Sequence, residues 1–329
     1  MRKCTSVEVN KEMLQAKTAA AIAVRGLRKA FPGVVAVNDL SFHVAPGEIF
    51  GLVGPDGAGK TTTLRMLAGV LPPDAGTATV AGMDVTREPE RVKHFISYMP
   101  QRFGLYEDLT VEENIRFYAD LFGVKKKERQ ERAARLLAAS GMSEFRERLA
   151  GKLSGGMKQK LGLTCALIHR PRVILLDEPT TGVDPVSRRD FWRILYSLVA
   201  EGVAILTSTA YLDEAERCHR VALLHEGRLL FCDTPAALKR QLPGGVVSLR
   251  SKEPRQLFET LKSAAGVANQ VLVGDGVHLF VDDAPRRIPE LRARLEAANL
   301  PFDEIAEAAP SIEDLFVAAV GKKVGEVKS

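Results

Sequence analysis

The sequence predicts an α/β fold: a buried parallel sheet carrying a phosphate-binding loop, with a helical insert and a smaller α/β unit behind it. Three observations predict it. Gly54-Pro55-Asp56-Gly57-Ala58-Gly59-Lys60-Thr61-Thr62 fits G-x-x-x-x-G-K-[ST], between the apolar run Ile49-Phe50-Gly51-Leu52-Val53 and a segment of helical period starting at Thr62. Val173-Ile174-Leu175-Leu176 is a continuous apolar run of the kind found in strands covered on both faces, and the stretch 203–209 reads as another buried strand. Beyond Pro243-Gly244-Gly245, short apolar runs and helical stretches alternate a second time.

Residues 1–20 have no strong period and read as a mobile leader. Ile22-Ala23-Val24 starts a strand, and Phe31 falls at the tip of a hairpin, where its ring either stacks on a base or anchors the loop. Further strand runs from Val34 to the turn Pro46-Gly47-Glu48, which leads into the loop strand. In the loop, glycines let successive backbone N–H groups turn towards one anion, and the positive end of the new helix adds to the attraction. Lys60 is placed to neutralise β- and γ-phosphates, and the Thr61 hydroxyl to ligate Mg²⁺. The pattern implies a nucleoside triphosphate.

A turn at 71–76 precedes an exposed strand at 77–80, and the strand at 96–99 runs into Pro100-Gln101. The Gln101 amide either meets Mg²⁺, directly or through a bound water, or is a solvated loop residue. From Thr110 to about Ala150, Val111, Ile115, Tyr118 and Leu121-Phe122 recur at helical spacing, and Lys125-Lys126-Lys127 reads as the solvated start of a further helix. A helical insert is therefore expected over about 102–165. In Leu153-Ser154-Gly155-Gly156-Met157-Lys158-Gln159-Lys160, Ser154 caps a helix while Gly155 and Gly156 expose backbone N–H groups. That is a second anion site, or a cap without a ligand. Asp177 and Glu178 end a buried strand at the edge where ligands sit in parallel sheets. Asp177 suits a Mg²⁺ shell and Glu178 a general base acting on water. The strand at 203–209 is followed by Ala210-Tyr211-Leu212-Asp213-Glu214-Ala215-Glu216 opening a helix, and Glu226-Gly227 turns a hairpin. After the linker, strands are expected at 246–249, 270–273 and 277–281, with helices near 254–264 and 286–298. Ser311-Ile312-Glu313-Asp314 opens a last helix, and 322–329 is a tail. Nothing in this second unit suggests chemistry, so a packing or regulatory role is expected.

Size and composition narrow the class. The chain has 329 residues, 46% hydrophobic and 26% charged, ample for one large and one small domain. A formal charge of +5 suits phosphate ligands or an anionic membrane surface and is too weak to argue for nucleic acid. The four cysteines, Cys4, Cys165, Cys218 and Cys232, lack paired spacing and read as free thiols of a reducing compartment. No apolar run of about 18 residues and no secretion signal is seen, so the chain reads as cytoplasmic.

Residues 21–240 resemble an ATP-binding cassette, the nucleotide-binding subunit of ABC transporters. Gly54–Thr62 resembles the Walker A loop, Gln101 the Q-loop glutamine, and LSGGMKQK at 153–160 the signature sequence. Val173 to Glu178 resembles Walker B with its following glutamate, and Gly182 to Pro185 the D-loop. Phe31 falls where the family places its adenine-stacking aromatic. The end of the chain, SIEDLFVAAV, is similar to the accessory domain of drug- and antibiotic-exporter ATPases. The resemblance implies ATP and Mg²⁺ as ligands, ATP hydrolysis, and a head-to-tail dimer with a second cassette. There each ATP lies between one subunit's Walker A face and the other's Ser154-Gly155-Gly156. It also implies a separate membrane permease as partner, multidrug export as the work done, and a peripheral position on the inner face of the cell membrane. One departure stands out. The family carries a histidine at the γ-phosphate where this chain has Ala210. An engineered substitution that traps nucleotide and a natural asymmetric pair of cassettes both account for it. Asp56 and the context STAYLDEAE, which resemble the first cassette of tandem exporters, favour the pair. A cassette acting on ribosomes or DNA, or a regulatory ATP-binding subunit, is the alternative reading. The linkers and coiled coils of the ribosome- and DNA-acting relatives are not seen.

Overall fold

The computed structural model describes residues 20–102, 104–274 and 276–326. The leader expected at 1–20, apart from Ala20, lies outside the described residues, as do Cys4 and positions 327–329 of the expected tail. The chain divides into two compact units. One holds the residues up to Tyr211 with Cys218–Leu229, the other Leu212–Arg217 with the residues from Leu230 onward.

In the first unit, β1 (Ile22–Phe31) and β2 (Val34–Val44) form a hairpin. With β4 (Ala75–Val80) and β5 (Met83–Asp84) they make an antiparallel sheet in the order β2-β1-β4-β5. The loop strand β3 (Ile49–Val53) belongs to a second sheet with β6 (Ile96–Met99), β7 (Val173–Asp177), β8 (Ala204–Thr209), β9 (Arg220–His225) and β10 (Arg228–Asp233), in the order β10-β9-β3-β8-β7-β6, and the division between the units falls within β10. The pairs β9–β3, β3–β8, β8–β7 and β7–β6 are parallel, and every residue of β3, β7 and β8 is buried. This is why β3, the first four residues of β7 and the first half of β8 read as apolar runs. Helix α1 (Lys60–Leu67) follows β3, short α2 (Pro89–Lys93) precedes β6, and α6 (Pro185–Ala200) links β7 to β8.

Between β6 and β7 the chain forms the expected helical insert: α3 (Val111–Leu121), α4 (Lys126–Ser140) and α5 (Gly155–Leu167). Thr110 and Glu113 close a capping box at the start of α3, and Gly141, with φ +66°, ends α4 in the left-handed conformation that favours glycine. Ile115, Leu137, Leu161 and Cys165 meet in a core of their own. The lysines at 125–127 are exposed, as a solvated helix start should be.

The second unit contains α7 (Leu212–Ala215), α8 (Pro235–Lys239), β11 (Gly245–Arg250), α9 (Pro254–Leu261), β12 (Val267–Val273), β13 (Gly276–Val281), α10 (Ala284–Ala297), β14 (Glu304–Ala308) and α11 (Ile312–Glu326). Its sheet is antiparallel in the order β12-β13-β11-β14, so the run from β11 to β14 is a split βαββαβ arrangement. Val247, Leu249, Val277 and Leu279 pack with Leu257, Leu261, Leu291 and Leu295 of α9 and α10. Three features differ from the sequence reading. A fourth strand, β14, joins the three expected; its EIAEA sequence favours helix, and pairing along β11 overrides that propensity. The helix expected from Ala210 is only the four residues of α7. Finally, Gly245 of the expected linker already pairs as the first residue of β11, and the units part at Leu229–Leu230 because α11 packs back on α7 and α8.

Candidate functional site

The turn from β3 into α1 leaves no room for a side chain at two of its glycines. A Cβ at Gly54 would overlap the Leu224 carbonyl, and one at Gly59 would overlap that of Ala36. Gly59 also sits at φ +96° immediately before α1, and no side chain caps the helix. The first-turn N–H groups of α1 therefore remain open to a ligand. Lys60 is 4% exposed, and its ammonium donates to the carbonyl oxygens of Gly54 (2.8 Å) and Pro55 (3.1 Å). It also pairs with Glu178 Oε1 at 3.2 Å. A buried cation needs such partners, because an uncompensated one is strongly destabilising. Above the loop opens a cleft of about 440 Å³. Phe31 and Val34 line it, with Asp56, Gly57, Ala58, Gly59, Lys60, Thr61 and Thr62, and with Gln101 and Glu178.

The two adjacent acids have separate surroundings. Asp177 is 2% exposed and accepts hydrogen bonds on Oδ1 from Thr61 Oγ1 (2.9 Å) and Ser208 Oγ (2.7 Å). The Tyr98 phenol donates to its Oδ2 at 3.4 Å. Burial, and then the Asp177 charge, hold the Tyr98 phenol above its ordinary pKa and so protonated as a donor. Glu178 has φ +48°, a left-handed conformation that costs a non-glycine residue roughly 1 kcal/mol or more. That backbone turn aims its carboxylate at the cleft. Lys60 lies at one oxygen, and Gln101 Nε2 (3.1 Å) and Thr181 Oγ1 (3.5 Å) donate to the other. The hydroxyl of Thr61 and the carboxylate of Asp177 are hard oxygen donors held together, a set that fits Mg²⁺.

The remaining candidates lie apart from this cleft. Ser154 caps α5 by accepting from the Met157 N–H at 3.3 Å. Gly156 packs so closely on Ser187 that a Cβ there would overlap its side chain. Asp184 caps α6, accepting from Val186 N (3.1 Å) and Ser187 N (2.9 Å), and these bonds hold its carboxyl below the ordinary range. Ala210 follows Thr209, which is in register with Val53 and whose carbonyl accepts from Gly54 N at 3.3 Å. It thus lies beside the start of the loop with only a methyl group to offer. The sequence reading missed the roles of Ser208 and Tyr98 as partners of Asp177. Their contacts run between neighbouring strands, and no local pattern marks them.

An uncapped helix start, a buried lysine and paired acids at the end of a parallel strand define a P-loop nucleotide-binding protein. Comparison with known proteins narrows the class. The family model described as ABC transporter matches residues 37–181. The chain is 45% identical over 308 residues to the "Probable multidrug ABC transporter ATP-binding protein YbhF" of Escherichia coli (strain K12), covering 92% of this chain and 52% of that relative. It therefore spans about half of that relative's length. It is 36% identical over 306 residues to the "Daunorubicin/doxorubicin resistance ATP-binding protein DrrA" of Streptomyces peucetius, covering 92% of each. A solved structure titled "Structure of ATP binding subunit of ABC transporter" is 32% identical with a TM-score of 0.62, over 67% of this chain and 92% of that one. The chain belongs to the ABC transporter family, among its ATP-binding subunits.

Proposed function

We propose that this chain binds and hydrolyses ATP to drive export of drugs or other hydrophobic compounds through a separate membrane permease. The observation that carries the reading is the buried Lys60 ammonium, which lies between the loop carbonyls and Glu178, one residue from the 2.9 Å contact of Thr61 with Asp177. In this reading Lys60 and the backbone N–H groups of 54–62 grip the β- and γ-phosphates, and Phe31 stacks on the adenine. Thr61 and Asp177 would hold Mg²⁺, with Gln101 as a further neutral oxygen donor to its shell. When bound, the ion offsets charge on the phosphate oxygens. Glu178 takes a proton from the attacking water, its carboxylate aimed by Gln101 and Thr181.

Ser154, Gly155 and Gly156 do not line the Lys60 cleft, so they serve a second nucleotide. That supports a head-to-tail pair in which each ATP lies between one chain's loop and the other's signature. Residues 21–243 act as the cassette and 246–321 as an accessory module for packing or regulation. Among the described residues no helix is long and apolar enough to cross a membrane, so the transport path is assigned to the permease, with this chain on the inner membrane face. The names of YbhF and DrrA support drugs as cargo. Ala210 removes a polar contact to the γ-phosphate, which lowers turnover at this chain's own Lys60–Glu178 site on the order of 100-fold. The intact Ser154-Gly155-Gly156 then completes a competent site on a partner cassette. ATPase turnover of the chain alone, as Ala210→His, and mixed with a second cassette tests this. Slow turnover alone and faster turnover in the other two are expected, and brisk turnover by the unsubstituted chain contradicts it.

A further inference from the structure

We propose that Ser208 is a positioning residue whose single hydroxyl fixes both acids of the nucleotide site. The proposal rests on the reading of Asp177 and Glu178 given above. Ser208 is fully buried, at 0% exposure, and stands in register with Asp177 across the β7–β8 pair. The Glu178 N–H donates to its Oγ at 3.0 Å and to its carbonyl oxygen at 3.2 Å. An amide N–H can only donate, so the hydroxyl is the acceptor there, and its one proton goes to Asp177 Oδ1 at 2.7 Å. The same Oδ1 receives Thr61, so Ser208 sets the orientation in which the carboxylate meets the loop. Its grip on the Glu178 N–H also holds that residue at φ +48°, the turn that brings its carboxylate to Lys60 and Gln101. One side chain therefore links the metal-holding acid to the acid that activates water. Loss of a hydrogen bond of this kind to a metal-holding side chain typically costs about 10- to 100-fold in metal affinity.

The neighbouring residue supplies a control. Thr207 is 1% exposed on the same strand, and its Oγ1 has no hydrogen-bond partner among the described residues. A buried hydroxyl is thus tolerated on β8 without a role in the site. The test measures affinity of the full chain for a fluorescent ATP analogue, first in EDTA and then with Mg²⁺, alongside melting temperature. Ser208→Ala is expected to cut the Mg²⁺-dependent gain in affinity about tenfold and to leave the metal-free affinity unchanged. Ser208→Cys keeps the volume, replaces the hydroxyl by a weak donor, and carries the same expectation should the alanine variant fail to fold. Thr207→Val is expected to leave both affinities as they were. Retention of the full Mg²⁺ gain by Ser208→Ala or Ser208→Cys, or an equal loss in Thr207→Val, overturns the proposal. No binding of the analogue by the unsubstituted chain in either condition overturns the reading of the site itself, and this inference with it.

Discussion

Glu178 and Lys60 bring the chemistry of the site down to one ion pair. The ammonium is committed to Glu178 and two carbonyls, so a triphosphate entering the cleft competes for a charge that is already partnered. Glu178→Gln removes the proposed acceptor for water's proton while keeping the shape of the side chain. ATPase assays should show turnover reduced at least about 100-fold with nucleotide binding retained. Ala210→His should act in the opposite sense, raising turnover up to about 100-fold, with the KM for ATP as a second readout. Lys60, Thr61, Asp177 and Glu178 were legible in the sequence because loop and strand end each carry a local pattern. Ser208 was not legible: its place opposite Asp177 depends on the register of two strands far apart in the chain.

Among the elements, apolar runs announced β3, β7 and the first half of β8, because strands covered on both faces favour apolar side chains. Strand β14 stayed hidden, since Glu and Ala favour helix and only its pairing with β11 makes a strand of it. The helical insert owes its stability to its own core, where Leu137 is fully buried. Leu137→Ala should destabilise the first unit by about 2–5 kcal/mol in a denaturant titration. In the second unit, His278 Nδ1 of β13 lies 3.0 Å from Asp314 Oδ1 of α11. The hydrogen bond to Asp314 raises the His278 pKa above its ordinary 6.5, against the effect of burial. Burial pushes the Asp314 carboxyl up, but the bonds from His278 and Ser311 outweigh it and leave it below its ordinary 3.8. A raised histidine stabilises fully below 6.5 and loses that contribution as pH rises through its folded value. A lowered carboxyl stabilises above 3.8 and loses its contribution as pH falls through its own folded value. The contact of α11 with the sheet is thus strongest between these two ordinary values. Calorimetric melting of the second unit should fall as pH rises above 6.5, and Asp314→Asn should flatten that slope.

For the whole molecule, the decisive fact is that Ser154, Gly155 and Gly156 lie outside the lining of the cleft at Lys60. The proposed head-to-tail pair follows from reading these three residues as a second anion site, and a bulky cation at the signature tests it. Ser154→Arg should leave the first ATP bound by the isolated chain at its normal affinity, and light scattering should show that it abolishes the ATP-dependent dimer expected in a Glu178→Gln background. The order of the motifs was legible in the sequence, and the family resemblance it carries implies the pairing. The parting of the two units at Leu229–Leu230 was not legible, because it follows from how α11 packs on α7 and α8. The central claim is that the loop at 54–62 grips the end of a magnesium-bound triphosphate through Lys60. Calorimetric titration of the full chain with Mg-ATP tests it most directly. One saturable site per chain is expected, weakened about tenfold or more in Lys60→Ala. Heat indistinguishable from dilution in the unsubstituted chain, or equal affinity in the Lys60 variant, would contradict it.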